Sequence, residues 1–209
     1  MAQSVGAEME ARLHVRSGYV DRGQDWANGS NLALQPGMSM ELRHGLSVEF
    51  WSSWVVTDRT NTKASDDIQM IPGWSTSIAP GWDVAVGGIL DYVVDGGSTA
   101  EVFGGLSFNP CRSPVTFSFE ASQDVRANKD LYVSLGAEAA LGDLTIEVTA
   151  GGGTKESWNT FNALSGTTCY SLGSSGGFTF ELTVSLVVSN APDEDGFKAF
   201  GGICAGWSP

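Results

Sequence analysis

LALQPGMSMELRHGLSVEFWSSWVVT, residues 32–57, is the stretch whose reading decides the rest of the chain. Leu32, Leu34, Pro36, Met38, Met40 and Leu42 occupy the even positions, and Ala33, Gln35, Gly37, Ser39, Glu41 and Arg43 lie between them. After His44-Gly45 the alternation resumes, with Leu46, Val48, Phe50, Trp54 and Val56 on one face and Ser47, Glu49, Ser53 and Thr57 on the other. Trp51 and Ser52 are the imperfections. Period-2 alternation reversed at a tight turn predicts a β-hairpin. Its arms exceed the roughly 5–6 residues of a globular strand and match the ~9–11 residues of a tilted membrane-crossing strand.

The pattern recurs outward from this hairpin. Ala7, Met9, Ala11, Leu13 and Val15 alternate with Glu8, Glu10, Arg12, His14 and Arg16. So many charges on one face would carry a heavy desolvation cost in a dry core, whereas a wet lumen tolerates them. Downstream stripes run Ile68–Ile78, Trp82–Val94, Val102–Phe108, Val115–Ala121, Leu131–Leu141, Leu144–Ala150, Phe178–Val188 and Phe197–Trp207, with a weaker strand at Thr167–Gly173. That makes about twelve strands, an even number as bacterial single-chain barrels have. The expectation is all-β: a transmembrane, antiparallel, up-and-down β-barrel occupying residues 1–209 as one domain.

The connections alternate in character. HG (44–45), PG (80–81), NPCRS (109–113), GD (142–143) and SSGG (174–177) are short. Between them lie mostly longer polar segments: 21–31, 58–67, 124–129, 151–165 and NAPDEDG at 190–196. This asymmetry is that of outer-membrane barrels with short periplasmic turns, and it puts both termini on the periplasmic side. Tyr19, Trp82, Tyr92, Phe178 and Trp207 near strand ends suit interfacial girdles.

Composition narrows the function classes. The 24 Asp+Glu against 11 Lys+Arg give a formal net charge of −13, which argues against nucleic-acid binding, because phosphate neutralisation needs clustered basic residues. No apolar run approaches the ~18 residues of a membrane helix. Met1-Ala2-Gln3-Ser4 lacks the basic start and apolar core of a signal peptide, so the expectation is a mature, exported form with an added initiator Met, located in the bacterial outer membrane. Cys111, Cys169 and Cys204 show no CxxC spacing, which leaves one disulfide or free thiols as alternatives.

SGYVDRGQ (17–24) resembles the N-terminal S-x-Y-x-x-R-G signature of the TorF-like porin family, a bacterial conserved-hypothetical outer-membrane β-barrel family. The resemblance continues through LQPGMSMELRHGLSVEFWSSW (34–54), GWDVAVGGILDYV (81–93) and AEVFGGLSF (100–108), and thus lies mainly over residues 17–108. Gly18 and Asp21 depart from the family's commoner residues, and VVDGGS replaces its Tyr-rich segment after residue 93. The motifs are turns and strand starts. The resemblance therefore implies fold and location and transfers no catalytic residue.

With apolar faces toward lipid, the inward acids are Glu8, Glu10, Glu41, Glu49, Asp83, Asp91, Glu101, Glu120, Glu138, Glu147 and Glu181. The belt proper is Glu41, Glu49, Glu101, Glu120, Glu138, Glu147 and Glu181, set against Arg12, Arg16, Arg43 and Lys198. Glu138 and Glu147 straddle Gly142-Asp143 almost symmetrically, and Glu41 and Glu49 straddle His44-Gly45. Carboxylates at similar depth are how cation-selective pores filter ions.

The expected role is passive diffusion of small cationic or neutral solutes, with outer-membrane lipid around the barrel, no enzyme activity, no cofactor and no metal. His44 is explained by its turn. His14 reads as a satisfied lumen histidine, since no GxSxG, HExxH or P-loop spacing occurs. Asp193, Glu194 and Asp195 lack EF-hand spacing, and Trp26, Trp158 and Phe161 in loops could contact a ligand or a protein partner. Two alternatives stand: a structural or interaction barrel with a plugged lumen whose loops bind a partner, and a soluble secreted β-sandwich binding module.

Overall fold

A computed structural model describes residues 8–18, 20–21, 24–25, 32–56, 66–94, 97–110, 113–126, 130–153, 160–189 and 196–208. Long strands dominate: β1 (Glu8–Arg16), β2 (Ala33–Glu41), β3 (Leu46–Val55), β4 (Asp67–Ala79), β5 (Trp82–Val93) and β6 (Gly97–Phe108), then β7 (Val115–Asp124), β8 (Leu131–Leu141), β9 (Leu144–Gly153), β10 (Thr160–Ser175), β11 (Phe178–Ser189) and β12 (Gly196–Trp207). Each pairs antiparallel with its chain neighbours, and β1 also pairs with β12 from Ala11↔Trp207 to Arg16↔Gly202, which closes the barrel. A two-residue ladder, Val20–Asp21 with Gln24–Asp25, stands apart from it.

The short connections follow from their residues. His44 (φ 64) and Gly45 (φ 78) both take left-handed backbone in the turn from β2 to β3. Gly176 (φ 60) and Gly177 (φ 81) form the two-residue turn from β10 to β11, the double left-handed geometry that matches the twist of a hairpin. Pro36 and Pro72 lack the N–H that a ladder needs on both sides, and the pairing skips Pro36 toward β3 and Pro72 toward β5.

Burial separates the membrane barrel from the soluble sandwich. Along β11, Phe180, Leu182, Val184 and Leu186 are 44–48% exposed, whereas Thr183, Ser185 and Ser189 are 2–5% exposed. A water-soluble sandwich requires the reverse. The buried hydrophobic residues among those described are Ala33, Val55, Val187 and Cys204, too few for a dry core. Outward stripes on every strand form an apolar band around a polar interior, as in a lipid-embedded barrel. The sandwich alternative is therefore overturned. At the short-turn rim Trp82 stacks on Phe108 with ring centroids 4.3 Å apart, and Phe178 lies 6.5 Å from Trp207.

Two sequence expectations need correction. The segment 151–165 is not one loop: β9 continues to Gly153 and β10 begins at Thr160. The strand expected only over Thr167–Gly173 is the longest in the barrel, at 16 residues. Small and polar residues hide its alternation, and pairing with β9 and β11 on both sides holds it in place.

Candidate functional site: the acid-lined lumen

Register places the inward side chains row by row. Glu138 and Glu147 are direct cross-strand partners, as their spacing from Gly142-Asp143 implied. Both are exposed to the lumen, and Thr149 donates from Oγ1 to Glu147 Oε1 at 3.1 Å. Glu41 and Glu49 are diagonal neighbours instead of partners, because Glu41 faces Ser47 and Ser39 faces Glu49. The three-residue turn Arg43–Gly45 shifts the two arms relative to the symmetric expectation. Glu41 also faces Glu8 across β1 and β2.

Glu120 lies between Gly105 and Ser134, and Glu181 sits beside Ser171 and Cys204. Asp83 accepts from the Ser77 hydroxyl, and Asp91 Oδ2 accepts from Thr99 Oγ1 at 3.4 Å. Glu120 sits near the middle of β7, and most of the belt, Glu41, Glu49, Glu138, Glu147 and Glu181, occupies the half of its strands nearer the short turns. Glu101 does not. It pairs with Asp124 toward the other end of β6 and β7.

The basic residues divide. Arg12 reaches across the intervening strand to Glu49, with Nη2 2.5 Å from Oε1 and both side chains about one-third exposed (34% and 30%). Arg16 Nη2 lies 3.4 Å from His14 Nδ1, and Lys198 stands opposite Val187 on the inward face of β12. Arg43 is in the β2–β3 turn and exposed, so it is not a wall residue. Its place in the alternation misled because the strand ends at Glu41. His14 Nε2 sits 3.3 Å from Cys204 Sγ across the closing seam.

Two inward carboxylates escape a strand-by-strand reading of the sequence. Asp67 (4% exposed) and Asp124 (7% exposed) sit at strand ends that read as polar loops. Asp67 Oδ2 accepts from Gln69 Nε2 at 3.3 Å, and Asp124 Oδ1 accepts from the Arg126 backbone N–H at 2.8 Å. Parity would have found Asp124, since Glu120 and Ser122 share its face. Among the described residues the inward face then carries thirteen carboxylates against three cations: Arg12, Arg16 and Lys198.

Trp51 points inward beside Gly37 and Arg12. Even so, the lumen holds an open volume of about 370 Å³ bounded by residues that include Asp83, Ser107, Ser118, Glu120, Glu147 and Thr149. Among the described residues, no three His, Cys, Asp or Glu side chains converge as metal ligands. Cys169 and Cys204 are free thiols on β10 and β12 with β11 between them; Cys111 lies outside the described residues. Tyr19, Trp26, Trp158, the Phe161 side chain and Asp193, Glu194 and Asp195 also lie outside them.

A family model described as "Bacterial protein of unknown function (Gcw_chp)" matches residues 2–200. No curated protein matches by sequence. Among solved structures, a KdgM porin is similar with a TM-score of 0.68 at 8% identity, over 96% of this chain and 99% of that one. A NanC porin gives a TM-score of 0.66 at 12% identity, over 95% and 98%. The outer membrane phospholipase A from Escherichia coli gives 0.57 at 13% identity, over 96% and 95%. At such identities the likeness is one of fold alone, and this fold hosts both pores and an enzyme.

Proposed function

We propose a function for a chain that belongs to the bacterial Gcw_chp family, with that membership and the closed twelve-stranded barrel as the premise. The protein is a non-enzymatic, porin-like barrel of the bacterial outer membrane that passes small cationic or neutral solutes by passive diffusion. The carrying observation is the lumen itself: an open volume of about 370 Å³ against Asp83, Glu120 and Glu147, inside a barrel whose described inward face carries thirteen carboxylates and three cations. Carboxylates around a water-filled passage raise local cation concentration and repel anions, which is electrostatic filtering without a binding site. The seven belt glutamates supply the filter; Arg12 offsets Glu49, and Arg16 and Lys198 moderate the wall toward the long-loop end. The resemblance of residues 17–108 to TorF-like porins and the likeness to KdgM and NanC porins support the same reading.

Planar-bilayer recording on the purified, refolded protein tests it. The expected result is a steady conductance whose reversal potential in a KCl gradient shows cation preference. Anion preference would sink the filtering mechanism. Absence of conductance would favour the filled, partner-binding barrel, a reading that the inward Trp51 and the Arg12–Glu49 bridge support.

A further inference from the structure

Several inward positions are glycine, and Gly37, Gly87 and Gly151 are among those that lie under a long side chain from an adjacent strand. A Cβ built on Gly87 would stand 2.5 Å from Cζ and 2.6 Å from Cε1 of Phe103, its cross-strand partner. One on Gly151 would stand 2.2 Å from the Tyr132 hydroxyl oxygen and 2.6 Å from its Cζ. One on Gly37 would stand 3.2 Å from Cγ and 3.3 Å from Nε of Arg12, its partner on β1. Real Cβ atoms do not come within 3.0 Å of such neighbours, so the two rings occupy space that any other residue would fill. The two rings and the arginine stem lie along the wall instead of projecting toward the axis.

We infer that Gly37, Gly87 and Gly151 are seats that hold Arg12, Phe103 and Tyr132 flat against the barrel wall, and that they set the free cross-section and hence the size limit of the solutes that pass. This deepens the pore reading and rests on it. Strand glycine costs conformational entropy and adds no packing of its own, so its use beneath large inward residues needs a compensating role. Twelve strands ~4.8 Å apart and tilted by ~40° enclose a ring roughly 24 Å across between backbone walls. Side chains from both walls reduce that to roughly half, so one aromatic ring standing upright would remove about a third of the remaining section. The seats also concern charge: an arginine lifted off Gly37 would bring its guanidinium toward the axis and oppose the acidic filter.

Gly151→Val and Gly37→Val are the cleaner tests, because the nearest atoms there belong to side chains that can swing away, whereas Gly87 also faces the Pro72 carbonyl oxygen at 2.5 Å. Conductance should fall by roughly a third in Gly151→Val, and adding Tyr132→Ala should restore it. Tyr132→Ala alone should change it little, because a seated ring does not obstruct. In Gly37→Val, conductance and cation preference should fall together. Heat-modifiable gel mobility confirms that each variant is folded. Unchanged conductance in folded Gly151→Val, or a large gain in Tyr132→Ala alone, overturns the inference.

Labelling supplies a readout that does not depend on ion conduction. The native lumen thiol Cys169, followed by peptide mass spectrometry, should react more slowly with a bulky methanethiosulfonate added from the long-loop side in Gly151→Val than in the wild type. Equal rates overturn the seats. If the wild type does not conduct, the pore reading falls, and the labelling result alone decides on the seats.

Discussion

Replacing Glu138 and Glu147 together by glutamine should weaken cation selectivity by an amount that the barrel geometry sets. The two carboxylates are cross-strand partners and both are open to the lumen. A twelve-stranded ring has a radius of ~12 Å, and a glutamate reaches ~4 Å inward, which leaves about 8 Å to a solute on the axis. In water that separation is worth about 0.5 kcal/mol per charge, and a Debye length of ~10 Å at 0.1 M salt cuts it roughly in half. The pair contributes about 0.5 kcal/mol of attraction to a univalent cation and the same repulsion to an anion, a difference of ~1 kcal/mol. The cation-to-anion permeability ratio should therefore fall about fivefold at 0.1 M KCl. At 1 M, with a Debye length of ~3 Å, the fall should shrink to less than about 1.5-fold. Reversal potentials across a bilayer at the two salt concentrations measure both numbers. An unchanged ratio at low salt, or an equal shift at 1 M, would refute the electrostatic reasoning.

Three further outcomes are expected. Arg12→Gln releases Glu49, so cation preference should rise while stability shifts by under ~1 kcal/mol, since the bridge is only partly buried; selectivity recording and denaturant titration check the two parts. Val184→Arg puts a charge on the lipid face near the middle of β11 and should cost about 2–4 kcal/mol, read as the fall in folding free energy into lipid vesicles; a neutral result would mean that this face does not meet hydrocarbon. Cys169 and Cys204 should never crosslink to each other. Two inter-strand spacings of ~4.8 Å already exceed the ~7 Å Cα limit of a disulfide, so a Cys169–Cys204 peptide found by non-reducing mass spectrometry would contradict the register.

The candidate site was partly legible from parity. Because side chains alternate strictly along a strand, naming one lipid-facing residue assigns every other position, and the belt glutamates all occupy inward parity. The same rule failed at strand ends. Arg43 lies two residues past β2 in a turn, and Asp67 and Asp124 belong to strands whose polar termini read as loops. The length of β10 was hidden for a related reason: Ser, Thr, Gly and Asn carry weak periodicity, and ladders with β9 and β11 supply what composition does not.

By itself the sequence determined the all-β class, the count of about twelve strands and the two faces of each strand, because alternation with period two is local; the charged faces weighed against a dry core, and burial in the structure removed the sandwich. Only the tertiary structure decided which residues meet across strands. It paired Glu138 with Glu147, separated Glu41 from Glu49, bridged Arg12 to Glu49, closed β1 on β12 and laid Phe103 and Tyr132 over glycines. Register is the sum of turn geometry, bulges and barrel closure, none of which is a property of one strand, so what the lumen can do depends on distances that no single stretch encodes.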